Sequence, residues 1–195
     1  MRISFLRPLR VRALALAVAL AAAAVLVIPG LATGAGTTPP PGAKVDTVHI
    51  VLEKGKLKFV APESVDQGDY LEVLNETNPK QVGPHTFSLV TKGSIPKTGN
   101  QRHDCFTPKH ICMAIAHWHG TNGKEPPKYN PVEAGPEGWS TMGTISKKGD
   151  SWFTGEKPKA SIVQQVTATA GTTLYFMCAV HPWMHGQITV LPSGS

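Results

Sequence analysis

Charge is sparse in this sequence: Asp, Glu, Lys and Arg together make up 16% of the 195 residues, and the basic ones are scattered instead of forming a stripe. A nucleic-acid-binding face needs clustered positive charge, so that class of function is set aside. Long apolar runs are also few. The longest, residues 13–28, has sixteen residues, short of the roughly 20 that cross a bilayer. Arg2, Arg7, Arg10 and Arg12 precede it and small residues follow it, which predicts a signal peptide over 1–35 with cleavage near Ala35, after Ala32 or Gly34 being equally readable. An uncleaved anchor is the alternative, and membrane association is expected only if the leader is retained. No two arginines are adjacent and no cysteine follows the apolar run, so neither a twin-arginine signal nor a lipid anchor is indicated. The expectation is general export, to a periplasmic, secreted or cell-surface location.

The leader carries four of the 19 Lys and Arg and none of the 13 Asp and Glu, so the remainder has a net charge of +2. The basic balance of the whole chain therefore describes targeting. Residues 36–44 are rich in Pro and Gly and read as a linker, and 45–192 are enough for one domain with a single core.

Cysteine is scarce too, and its odd count is informative: an exported chain consumes cysteines in pairs and leaves one of three over. Cys105 and Cys112 are seven residues apart, whereas Cys178 stands among His and Met residues. The economical assignment is a Cys105–Cys112 disulfide and a free Cys178 serving as a metal thiolate. A buried core thiol is the plainer reading of Cys178.

Strand signals recur along the chain. Residues 45–52, 56–60, 70–74 and 85–90 read as strands, followed after Ser161 by Ile162, Val163 and Val166, then 174–178 and 187–191, with turn residues between them. Short strands without a convincing amphipathic helix predict an all-β sandwich. Residues 91–160 differ in texture, holding three of the four tryptophans and four of the eight histidines. They are read as an insertion, partly helical over 105–119 with Ile111, Ala114, Ile115 and Trp118 on one face.

The strongest signal is Cys178-Ala179-Val180-His181-Pro182-Trp183-Met184. A thiolate, an imidazole and a thioether stand at three-residue intervals between a β-branched, aromatic strand and another strand. Soft sulfur with imidazole selects copper over magnesium or calcium, and two His, one Cys and a long axial Met make an electron-transfer site. The second imidazole must come from elsewhere, and His85 in Gly83-Pro84-His85-Thr86-Phe87 is the best donor because it stands at a loop–strand boundary. His185, next to Met184, should face away from the metal, and His49 sits inside a strand as a structural residue.

The run from Leu174 through Cys178, His181 and Met184 to Gly186 resembles the ligand loop of the plastocyanin and amicyanin family of cupredoxins, with the short Cys-x-x-His-x-x-Met spacing of amicyanin. Gly68-Asp69, Asn75 and Pro84-His85-Thr86-Phe87 are similar to its upstream ligand region. The resemblance covers roughly 45–90 and 161–191. It implies a Greek-key sandwich with one type 1 copper, ligated by His85, Cys178, His181 and Met184, that shuttles single electrons between a donor and an acceptor protein without being an enzyme. The length of 91–160 departs from the family.

Two other functions compete. His117-Trp118-His119-Gly120 has the look of a multicopper-oxidase motif, but a trinuclear cluster needs eight histidines, all that the chain has, and Met177 and Ala179 stand where such oxidases flank their cysteine with histidine. Alternatively, His103, His110, His117 and His119 could hold a second metal in a trafficking protein or copper enzyme, or be solvent-facing and packing residues. Finally, Val180 stands where amicyanins often carry proline, so it offers the cysteine sulfur an amide that proline lacks. Val180→Pro is accordingly expected to keep the blue site and raise its midpoint potential, and Val180→Ala to change it little.

Overall fold

Alternating apolar residues along the first strand send Val48 and Ile50 inward, fully buried, while Thr47 and His49 face the other way. The computed structural model describes residues 36–121 and 138–195; the expected leader, 1–35, lies outside them. Strand β1 (Val45–Glu53) turns through Lys54 and Gly55, both at positive φ, into β2 (Lys56–Val60). This two-residue turn matches the twist of a hairpin and pairs Glu53 with Lys56. There follow β3 (Ser64–Asp66), β4 (Tyr70–Asn75), α1 (Pro79–Val82), β5 (Thr86–Leu89), α2 (Gly99–His103), α3 (Ile111–Trp118), β6 (Ser151–Phe153), β7 (Ser161–Gln165), β8 (Thr173–Met177) and β9 (His185–Leu191).

One sheet runs β2-β1-β4-β7 and the other β3-β9-β8-β5-β6. The chain crosses between sheets so that β7 returns beside β4 and β8 beside β5, a Greek-key connectivity. Between the sheets, Phe87 meets Phe59, Phe176 and Trp139 at centroid distances of 5.9, 4.7 and 5.1 Å. Truncating a ring at such a position to alanine costs about 3–5 kcal/mol. The all-β sandwich expected from the sequence is the observed fold.

The segment 91–160 divides in two. Its first part carries α2, α3 and the Cys105–Cys112 disulfide, and builds a second apolar cluster from Ile111, Cys112 and Ile115 against Val90, Met177 and Ala179. Its described later part joins the sandwich: β6 pairs with β5, Gly143 with Val90, and Trp139 with Val166. Of residues 36–44, read as a linker, Gly36 and Thr37 lie against β7, where the Thr37 hydroxyl donates to Gln164, while the Lys44 carbonyl accepts from the Tyr70 amide that opens β4.

The helix expected over 105–119 is shorter. Thr107 is extended at ψ 159° before Pro108, which disfavours helical geometry in its predecessor, and Lys109 has φ 70°. The helix therefore starts only at Ile111. Its buried face includes Ile111, Ala114 and Ile115, with Trp118 packed against the second cluster. Among the described residues no helix is long and apolar enough to cross a membrane.

Candidate metal centre

The pairing of β8 with β9 sets Met177 opposite His185, leaving residues 178–184 as the loop between them. Two internal bonds close this loop: the Cys178 amide donates to the Met184 carbonyl at 3.0 Å, and the Met184 amide to the His181 carbonyl at 2.8 Å. On the neighbouring strand β5, Ser88 pairs with Met177, so the residues just before β5 reach Cys178. His85 is clamped there by Thr154, whose hydroxyl accepts from the His85 amide at 2.9 Å while its own amide donates to the His85 carbonyl at 2.9 Å. Gly83, at φ 78°, caps α1 and adopts a conformation that other residues rarely take.

These constraints bring three of the four expected ligands together. Cys178 Sγ lies 3.9 Å from His85 Nδ1 and 3.7 Å from His181 Nδ1, and the two nitrogens are 3.1 Å apart. Among the described residues this is the one group of three or more His, Cys, Asp or Glu with converging ligand atoms. Met184 is buried on the same loop and belongs to the same apolar cluster as Cys178. His181 is the least buried of the cluster, 8% exposed against 0% for His85 and Cys178, and its ring meets the exposed Trp183 at 5.1 Å.

Hydrogen-bond accounting fixes the His85 tautomer. The Thr77 hydroxyl gives its only proton to Asn75 Oδ1 at 2.8 Å, so at 3.0 Å it accepts from His85 Nε2. His85 therefore presents an unprotonated Nδ1 to the sulfur and to His181 Nδ1. A point about 2.1 Å from all three atoms lies inside their triangle, near the ~2.0–2.1 Å and ~2.3 Å at which nitrogen and sulfur bind a first-row ion such as zinc. The residues thus fit a transition metal, and the His85 imidazole is oriented by Thr77 on its far side.

Burial sets the charges of the metal-free site. It pushes the Cys178 thiol up to about 11, against the lowering pull of the Thr86, His181 and Val180 amides and the Thr86 hydroxyl. The Thr86 and His181 amides lie 3.3 and 3.4 Å from the sulfur. Burial, then the neighbouring His181, lowers His85 to about 4, and burial also lowers His181. In the folded apo-protein the site therefore holds two neutral imidazoles and a thiol.

The other histidines are dispersed. His185 is exposed, and His49, half-buried on β1, pairs through Nδ1 with the Glu76 carboxylate at 2.9 Å. His103 meets Asp104 and His110 meets Thr107. His117 is exposed while His119 is buried, so the four histidines of 91–160 do not share a site among the described residues. Thr77 and Thr154 were not singled out by sequence reading. Their roles arise from pairing across the fold, and no local motif marks them.

No protein-family model matches the chain, and no curated protein matches it. Solved structures do show similarity. Auracyanin A, a "blue" copper protein of the green thermophilic photosynthetic bacterium Chloroflexus aurantiacus, is 14% identical over 76% of this chain and 99% of its own, with a TM-score of 0.39. A reduced auracyanin from Roseiflexus castenholzii is 17% identical over 77% and 100%, TM-score 0.38. Amicyanin from Paracoccus versutus is 15% identical over 78% and 84%, TM-score 0.33.

Proposed function

We propose that this protein is an exported type 1 copper protein that carries single electrons between redox partners, in which His85, Cys178, His181 and Met184 would hold the copper. One observation carries the reading: two imidazole nitrogens and one cysteine sulfur converge within 3.1–3.9 Å in a buried pocket. The donor set selects copper, because soft sulfur combined with two imidazoles suits that metal and a distant thioether tunes it. Copper held there supplies one-electron exchange.

The chain's own part is to deprotonate and fix the ligands. Cys178 gives up its proton on binding, and the amides already aimed at its sulfur stabilise the resulting charge. Thr77 and Thr154 hold His85 in one orientation, which limits how far the site must reorganise when its charge changes. Burial keeps water away from the sulfur, while the His181 edge beside exposed Trp183 offers the shortest way to the surface. A donor and an acceptor protein docking there are the partners this reading implies, and the leader read at 1–35 supplies export.

The test is the visible spectrum and metal content of copper-loaded protein. An intense blue band with one copper per chain is expected. A colourless holoprotein overturns the assignment.

A further inference from the structure

His119 is a titratable side chain from α3's C-terminal end that is 2% exposed and takes no part in the ligand set. Its Nε2 lies 2.7 Å from the Ser151 hydroxyl on β6, which lies 2.7 Å from the Ser88 hydroxyl on β5. Ser88 donates to Thr86 Oγ1 at 3.0 Å, and the Ala179 amide donates to the same oxygen at 2.8 Å. The directions follow from one proton per hydroxyl. Ser88 has given its proton to Thr86, so it accepts from Ser151. Ser151 has then spent its own and accepts from His119 Nε2–H. Thr86 Oγ1 thus accepts from both Ser88 and the Ala179 amide, while the Thr86 amide donates to the Cys178 sulfur at 3.3 Å. Every donor in this buried series points from the α3 segment toward Thr86, whose own amide points at the sulfur.

We infer that His119 is a positioning residue for the metal centre, acting through Ser151, Ser88 and Thr86 on the Cys178 sulfur. This rests on the copper reading above. A hydrogen bond to the sulfur stabilises negative charge, and reduction of a metal–thiolate pair leaves more of that charge on sulfur. Fixing Thr86, whose amide makes such a bond, therefore favours the reduced state. The Ala179 amide, fixed by the Thr86 hydroxyl, holds the start of the ligand loop. The segment that departs most from the resembled family thereby reaches the metal site through the fold, not through a ligand of its own.

The test compares His119→Phe, which keeps a ring but removes the donor, with His119→Gln, which keeps an N–H. In the copper-loaded protein, His119→Phe should lower the midpoint potential and displace the visible band, and His119→Gln should restore both. Ser151→Ala should give a shift of the same sign, and the His119→Phe/Ser151→Ala double variant no more than the larger single one, because both break one series. In metal-free protein, amide hydrogen exchange at Ala179 should quicken about tenfold in His119→Phe, roughly the worth of one buried hydrogen bond. Unchanged potential, band and exchange in His119→Phe, or additive shifts in the double variant, overturn the inference. Should His119→Phe fail to fold, Ser151→Ala and Ser88→Ala carry the same comparison. The wild-type spectrum separately decides the copper reading, and the exchange measurement stands whatever that spectrum shows.

Discussion

Two apolar clusters meet at the end of β8 and treat adjacent residues differently. Cys178 belongs to the larger one, between the sheets, whereas Met177 and Ala179 on either side of it belong to the smaller one built by α3 and the disulfide. The sandwich brings the ligand atoms together; the smaller cluster, with the hydroxyls beside it, governs what surrounds the sulfur. A strand alternates its faces, so a cysteine facing one core exposes its neighbours to another. The lesson is that the metal site belongs to neither region alone.

The largest effect that would break this comparison comes from the ligand itself. Cys178→Ser should abolish the visible band of the copper-loaded protein entirely, since the band originates in the copper–thiolate bond. Retention of the band in absorption spectra would assign the colour elsewhere.

Removing the staple of the smaller cluster tests the other region. The Cys105→Ala/Cys112→Ala protein should lose about 2–3 kcal/mol of stability, as expected for a bridge closing a short loop, read as a lower urea midpoint. Its blue colour should survive, because the ligands stand on the sandwich. Loss of both together would mean that the two regions fold as one unit.

Metal-free protein should also be sensitive to acid. Folded His85 is lowered to about 4 from an ordinary 6.5, and His181 is lowered as well. The unfolded chain therefore binds protons first as pH falls, so this contribution to stability is complete above about 6.5 and disappears toward pH 4. Urea midpoints of the apo-protein across that window should fall, and His85→Leu should flatten the dependence. An equally steep fall in His85→Leu would place the acid sensitivity on other groups.

A smaller change is expected from Thr77→Val, which removes the acceptor for His85 Nε2–H. Copper affinity should fall about 10–100-fold, the usual cost of losing such a partner, as measured by competition with a chelator. Unchanged affinity would mean that packing alone orients the ring.

The smallest effect concerns Val180. Its amide pulls the thiol pKa down, and proline has no amide hydrogen. Val180→Pro should keep the blue site but lower its midpoint potential modestly, the reverse of the rise expected from the sequence, because a lost donor leaves the greater thiolate charge of the reduced state less stabilised, while Val180→Ala should leave it nearly unchanged. Equal shifts in film voltammetry would assign the effect to side-chain packing.

The ligand loop was legible because its spacing is local: Cys178, His181 and Met184 are held within one turn between paired strands. Cys105 and Cys112 were legible for the same reason, as was most of the strand pattern in the sandwich. Strands β3 and β6 were not, since three residues are too few to show a period of two. The helix over 105–119 was overextended because its apolar spacing outweighed Pro108 in the reading, whereas Thr107 and Lys109 adopt backbone conformations that no helix accommodates.

The sequence by itself determined which atoms could bind a soft metal and which cysteines would pair, because ligand softness and short loop closure depend on residue identity and nearby spacing. Only the tertiary structure decided that His85 meets Cys178 across 93 residues, that Thr77 spends its proton on Asn75 and so orients His85, and that His119 joins Ser151 instead of the other histidines. Those outcomes depend on strand order and register between distant segments. Each is also a question of where a single proton goes, which is settled only once every neighbouring donor and acceptor has been placed.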